Sequence, residues 1–174
     1  MFRGISFGGA YGRPGYDRQQ WSTFYLDQHT DADLIGVMDA DSMVYAYLAR
    51  SSIYAQDARI LLRAAIGDHY ENDPIALNST RTASEFLDFM WTDRNPFWLR
   101  RETFQNVRNY ISNEWRKSFD EAFVEFSRKP YSQFNIIFNY AVVEESNFYR
   151  AIQTSDLLGL GLGLGLGLGL GLGL

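Results

Sequence analysis

Asp33-Leu34-Ile35-Gly36-Val37-Met38-Asp39-Ala40-Asp41 is the stretch on which the reading of the fold turns. The short continuous apolar run Leu34–Met38, bounded by Asp33 and Asp39, has the length and composition of a strand buried on both faces. It ends at Asp39-Ala40-Asp41. In an open α/β sheet, ligands gather at the carboxyl ends of strands, where the connecting loops leave a crevice. Two carboxylates two residues apart at such an end can converge on one divalent cation. Mn²⁺ and Mg²⁺ take oxygen ligands and keep positions open for diphosphate oxygens. The same spacing recurs at Asp31-Ala32-Asp33, before the strand, so strand context selects Asp39 and Asp41 as the metal ligands. A polar turn is the other reading of these residues, since Asp side chains often bond nearby backbone in turns.

Upstream, Tyr11 to Tyr16 is glycine-rich with Pro14 and reads as a loop. From Asp17 to Gln28, Trp21, Phe24 and Tyr25 fall at helical spacing, with Asp17 placed as N-cap. Downstream, Val44–Tyr47 and Ile60–Ala65 read as short strands, and Thr82–Met90 as a helix ending near Trp91. Thr103 to Trp115 carries Phe104, Val107, Tyr110, Ile111 and Trp115 at steps of three and four, an amphipathic helix. Phe119–Phe126 is a second helix, broken by Pro130. Phe134–Val143 is apolar with Asn135 and Asn139 inserted, a buried strand or a helix. The fold class is mixed α/β.

Of 174 residues, 46% are hydrophobic, enough apolar material for one domain with its own core. The expected division is a domain over residues 1–156 and a low-complexity tail over 157–174, in which Leu and Gly alternate from Leu158 to Leu174. Glycine at every second position weakens a strand and a helix alike. The tail reads as disorder or an artefact of gene prediction, with a membrane-inserting hairpin or helix as the rival reading. Before it, no stretch is apolar and long enough for a signal peptide or a membrane span, and the compartment stays open. Sixteen basic against twenty-one acidic residues give 16 − 21 = −5, with no dense basic run, so nucleic acid is not an expected partner. Without cysteine there is no disulfide, thiolate metal site or cysteine nucleophile.

Two blocks carry a resemblance. The first is Arg18-Gln19-Gln20-Trp21, Tyr25-Leu26-Asp27 and His29-Thr30, leading into Asp33 to Ser42. The second runs from Pro96-Phe97-Trp98-Leu99-Arg100-Arg101 through Phe119-Asp120-Glu121-Ala122-Phe123 to Tyr131-Ser132-Gln133-Phe134-Asn135-Ile136-Ile137-Phe138-Asn139-Tyr140. Together they resemble a glycosyltransferase-like family of unknown function, over most of residues 15 to 150. The resemblance implies a partial GT-A-type sheet flanked by helices, a DxD site for Mn²⁺ or Mg²⁺, a nucleotide-sugar donor and a hydroxyl acceptor. In that family more sequence precedes the first helix, so the chain is expected to be truncated at its N-terminus, with an exposed sheet edge prone to self-association.

In such a fold Asp39 and Asp41 hold the metal that neutralises the donor diphosphate. Gln20 is a candidate for donor ribose or phosphate, or a helix glutamine with no ligand. Arg100 approaches phosphate, or is a solvated arginine beside Arg101. Ser132, Gln133, Asn135 and Asn139 set polar groups in an apolar segment, where acceptor hydroxyls or nearby backbone can satisfy them. Asp120, Glu121, Glu144 and Glu145 are generic carboxylates from which no general base stands out, and His29 and His69 show no metal spacing. Trp91, Phe97, Trp98 and Tyr131 are core residues or a sugar-stacking platform. The expected activity is metal-dependent glycosyl transfer. The alternative is an inactive fragment or a carbohydrate- or metal-binding module without a complete donor pocket.

Overall fold

The computed structural model describes Ile5 and residues 14–38, 47–66, 87–88, 96–128 and 131–153. Along them run α1 (Pro14–Thr23), a 3₁₀ turn (Leu26–Gln28), β1 (Leu34–Val37), α2 (Arg50–Ile53), β2 (Ile60–Ile66), β3 (Leu87–Asp88) and β4 (Phe97–Arg100). Then follow α3 (Arg101–Trp115), α4 (Phe119–Phe126), α5 (Gln133–Glu144) and β5 (Tyr149–Gln153). The chain is mixed α/β.

Helix α1 begins at Pro14, where a missing N–H costs nothing because first-turn donors have no helical partner. Asp17 is therefore inside the helix and fully buried, not the cap expected from its position. The helix stops at Thr23 rather than running to Gln28. The hydroxyls of Ser22 and Thr23 both donate to the Gln19 carbonyl at 2.8 and 3.1 Å, and the chain tightens into i→i+3 bonds at Phe24 and Tyr25.

β1 pairs with β4 in antiparallel register, Leu34 opposite Arg100 and Val37 opposite Phe97. The strand is not buried on both faces. Ile35 and Val37 enter the core while Gly36 is exposed, because alternate residues face opposite sides and the outer side carries only cross-strand cover. That cover is Trp98: a Cβ at Gly36 would lie 3.0 Å from its indole ring, so the close approach of the ring requires glycine. Among the described residues β1 stands in a two-stranded antiparallel pair with β4, not between parallel neighbours.

The other sheet has the order β3-β2-β5, with β2 antiparallel to β3 and parallel to β5. β2 confirms the strand expected from Ile60. Leu87–Asp88, inside the helix expected over Thr82–Met90, is a strand paired to Ala65 and Ile66; local helical character yields there to a non-local partner. The rest of that segment, and Val44 to Ala46, lie outside the described residues.

Helix α3 buries Phe104, Val107 and Ile111 on one face, as its period demands, together with Thr103 and Arg108. α4 opens on a full capping box: Glu121 N–H donates to Ser118 Oγ, and the Glu121 carboxylate accepts from the Ser118 N–H at 3.0 Å. The segment from Phe134 is a helix, not a strand. Seven consecutive residues of α5, Asn135 to Ala141, are buried, and a helix enclosed on all sides shows no apolar stripe. Phe24, Phe119, Phe123, Phe126 and Tyr131 form an aromatic core among the turn after α1, α4 and the entry to α5, with contacting ring centroids 5.0 to 6.3 Å apart.

Candidate functional site

Asp39 and Asp41 lie outside the described residues, but the strand that delivers them does not. Val37, the last residue of β1, sits opposite Phe97, whose ring is 5.7 Å from that of Phe134 and 4.7 Å from that of Phe138. The end of β1 therefore lies beside the first turns of α5, which carry the polar residues singled out in the sequence. Ser132 caps α5, its Oγ accepting from Asn135 N–H at 3.2 Å. Asn139 Nδ2 donates to the Asn135 carbonyl at 2.8 Å. Both follow the backbone-satisfying reading of these residues. Gln133 and Asn135 are buried in the same helix. Gln20 is buried on α1, which packs against α5.

Arg100 is placed elsewhere. Its backbone is opposite Leu34, the first residue of β1, three residues or about 10 Å along the strand from Val37. Its guanidinium pairs with Glu102 and stands 3.7 Å over the Phe148 ring, so it is engaged rather than simply solvated. Its backbone N–H donates to Tyr149 Oη at 2.7 Å, entering a network that sequence reasoning missed. Thr103 Oγ donates to Glu145 Oε2 at 2.6 Å, because a carboxylate can only accept, and the Tyr149 hydroxyl must then donate to Thr103 Oγ, also at 2.6 Å. Asn106 Nδ2 donates to Glu145 Oε1 at 2.7 Å. The buried Glu145 carboxylate thus has hydrogen-bond donors on both oxygens. Burial pushes the Tyr149 phenol well above its ordinary range.

Two further contacts join the resembling blocks to each other. Trp21 Nε1 and Tyr25 Oη both donate to Asp120 Oδ1 at 2.9 Å. Burial, and then the bond to Asp120, raises the Tyr25 phenol far above its ordinary value. Arg108 holds Asp27 bidentately at 2.6 and 2.8 Å, donates to the Phe24 carbonyl, and lies 4.3 Å from the Tyr25 ring centroid. A guanidinium inside the apolar stripe Phe104-Val107-Ile111 is the one signal by which the sequence could have announced this pair. Glu121 is taken up by its capping box, and the Ser118 hydroxyl and N–H hold its carboxyl below the usual range.

Phe97 and Tyr131 are core residues, not a platform for sugars, since burial and ring contacts occupy them. Trp98 covers Gly36, while Trp91 and His69 lie outside the described residues. His29 is exposed. Among the described residues no three His, Asp or Glu side chains cluster as metal ligands. The pair Asp39 and Asp41 is, by its chemistry, a donor set suited to a hard divalent cation. No described helix is long and apolar enough to cross a membrane. Comparison with protein-family models, curated proteins and solved structures finds no match.

Proposed function

We propose that the chain is a metal-dependent glycosyltransferase domain of the GT-A type, moving a sugar from a nucleotide-sugar donor to a hydroxyl acceptor at the carboxyl end of β1. The observation that supports this reading is the pairing of Val37 with Phe97, whose ring packs on those of Phe134 and Phe138. It brings the strand leading to Asp39 and Asp41 against the buried polar turns of α5. Asp39 and Asp41 would hold Mn²⁺ or Mg²⁺, which supplies Lewis-acid neutralisation of the donor diphosphate when bound. Of the four α5 residues expected on the acceptor side, Gln133 and Asn135 are the ones that would face it, since Ser132 Oγ and Asn139 Nδ2 are engaged with backbone of their own helix. Gln20 approaches from α1 on the donor side, and Arg100, at the far end of β4, serves the donor only at a distance from the metal.

A second reading, a carbohydrate- or metal-binding module without catalysis, draws on a different observation. Asp120, Glu121 and Glu145, three of the carboxylates considered as bases, are each held by hydrogen bonds within the fold. Calorimetric titration of the full chain with UDP and GDP, with and without Mn²⁺, tests both. Metal-dependent binding, lost in Asp39→Asn and Asp41→Asn, supports the donor site, and turnover of a nucleotide sugar then separates transferase from module. Unchanged metal and nucleotide affinity in the two variants would remove Asp39 and Asp41 from the site.

A further inference from the structure

Where the parallel strands β2 and β5 both begin, basic and apolar side chains share one rim of the surface. Tyr54 bridges to Ile60, and Ile60 is opposite Tyr149, so three segments of chain stand there side by side, about 5 Å apart. Arg50 lies over the Tyr54 ring, Arg59 immediately precedes β2, and Arg150 follows Tyr149. Arg100, whose backbone N–H reaches the Tyr149 hydroxyl, stands over the Phe148 ring. Two carboxylates meet these four arginines: Asp57, bonded to Arg59 at 2.8 Å, and Glu102, paired with Arg100. Arg101 and Asp33, joined by a backbone bond beside them, add one charge of each sign. Four against two leaves the rim positive on a chain of net charge −5.

Large apolar side chains are exposed at the same place. Tyr47 and Leu48 directly precede Arg50 and are both exposed, and Phe148 is 47% exposed. Arg150 stands 3.8 Å from Asp57, beyond hydrogen-bond reach, so that pair does not take up its fork of N–H donors. Apolar side chains that project singly among guanidiniums suit a lipid surface, because each enters the acyl boundary by itself, whereas a protein interface needs a contiguous packed patch. Guanidinium forks match phosphate bidentately, and an anionic leaflet attracts this sign of charge. We infer that the rim is a peripheral membrane-binding surface for anionic phospholipid. Arg50 and Arg150 meet headgroup phosphates, while Tyr47, Leu48 and Phe148 enter the interface. The rim lies at the Leu34–Arg100 end of the β1–β4 pair, opposite the Val37 end that leads to Asp39, and the inference does not depend on the donor and acceptor reading.

The experiment is sedimentation of the full chain with vesicles of phosphatidylcholine alone and of phosphatidylcholine mixed with phosphatidylserine. The chain is expected to bind the mixed vesicles and to bind the neutral ones much less. Binding falls as salt rises from about 0.1 to 1 M, where the screening length shortens from roughly 10 to 3 Å. Arg50→Gln and Arg150→Gln each weaken it roughly fivefold, the effect of one charge at an anionic surface. Phe148→Ala weakens it at low and high salt alike, since its contribution is apolar. Arg150→Gln leaves the melting temperature unchanged, because an exposed pair at 3.8 Å contributes little to stability. Arg128→Gln removes the same charge elsewhere: it lies two residues beyond Phe126, which touches Trp115 at the far end of α3, about 20 Å from Arg101. That variant binds as the unsubstituted chain does.

Three results would overturn the inference: no binding to either vesicle, equal binding to both, or equal losses in Arg150→Gln and Arg128→Gln. The second is the result expected if the Leu-Gly tail carries the contact, since Leu158 to Leu174 bear no charged side chain. The third would make the attraction a matter of net charge and not of this rim.

Discussion

Asp120 shows at the scale of one residue how a carboxylate can look catalytic and serve the fold. Its Oδ1 accepts from an indole on α1 and a phenol just beyond it, ninety-nine and ninety-five residues away in sequence. Asp120→Asn keeps an oxygen for both donors and is expected to shift the urea midpoint little. Asp120→Ala leaves both donors unmet and costs about 1–3 kcal/mol, more if neither finds water. Were Asp120 a general base, Asn would abolish turnover with stability intact, so the two variants distinguish the roles. The phenols act in the opposite pH range. Tyr25 and Tyr149 have raised values and Tyr140 is pushed up to about 12, in each case chiefly by burial. The folded chain keeps these protons where the unfolded chain releases them near pH 10. The resulting stability is complete below pH 10 and is lost as pH rises toward the folded values. Melting temperature followed from pH 9 upward should fall above pH 10, and Tyr25→Phe should flatten that fall; an unchanged slope would show that Tyr25 does not contribute.

Among the elements, α3 and its exit are the most legible. Arg116 ends the helix with φ 52° and ψ 40°, its N–H and that of Lys117 returning to Ser112 and Asn113 carbonyls. A left-handed cap is ordinarily glycine, because a Cβ is strained there. Arg116→Gly is therefore expected to stabilise the chain by up to about 1 kcal/mol, seen as a higher urea midpoint with unchanged slope. α4 follows directly, and its Ser118–Glu121 box could be read from four letters of sequence. α5 could not, because burial on every side erases the period from which a helix is recognised. β3 was misread for a related reason: two residues of pairing to β2 outweigh whatever helix signal surrounds them.

On the scale of the whole molecule, Tyr149 connects the two sheets. It is the first residue of β5, and its hydroxyl accepts from the Arg100 N–H at the end of β4 and donates to Thr103 on α3, which passes the chain on to Glu145. Tyr149→Phe keeps the buried ring and removes the link. It is expected to cost about 1–3 kcal/mol by leaving the Arg100 N–H and Thr103 unmet. Amide hydrogen exchange at Arg100 should rise more than exchange in α4; uniform change across the chain would mean that the network does not join the sheets locally.

The mixed α/β class, the helices at 103–115 and 119–126, the strand from Ile60 and the strand into Asp39 were all legible in sequence, because periodicity, capping and short apolar runs are local properties. The candidate metal pair was legible too, but only as chemistry. Tertiary structure decided that β1 runs antiparallel to β4 with one face exposed, and that Arg100 belongs at the far end of that pair. It also decided that Asp120 and Glu145 are hydrogen-bonded into the fold and that α1 turns Gln20 into its interior. Each of these depends on partners tens of residues distant, and no local pattern encodes which distant group will satisfy a buried charge or amide.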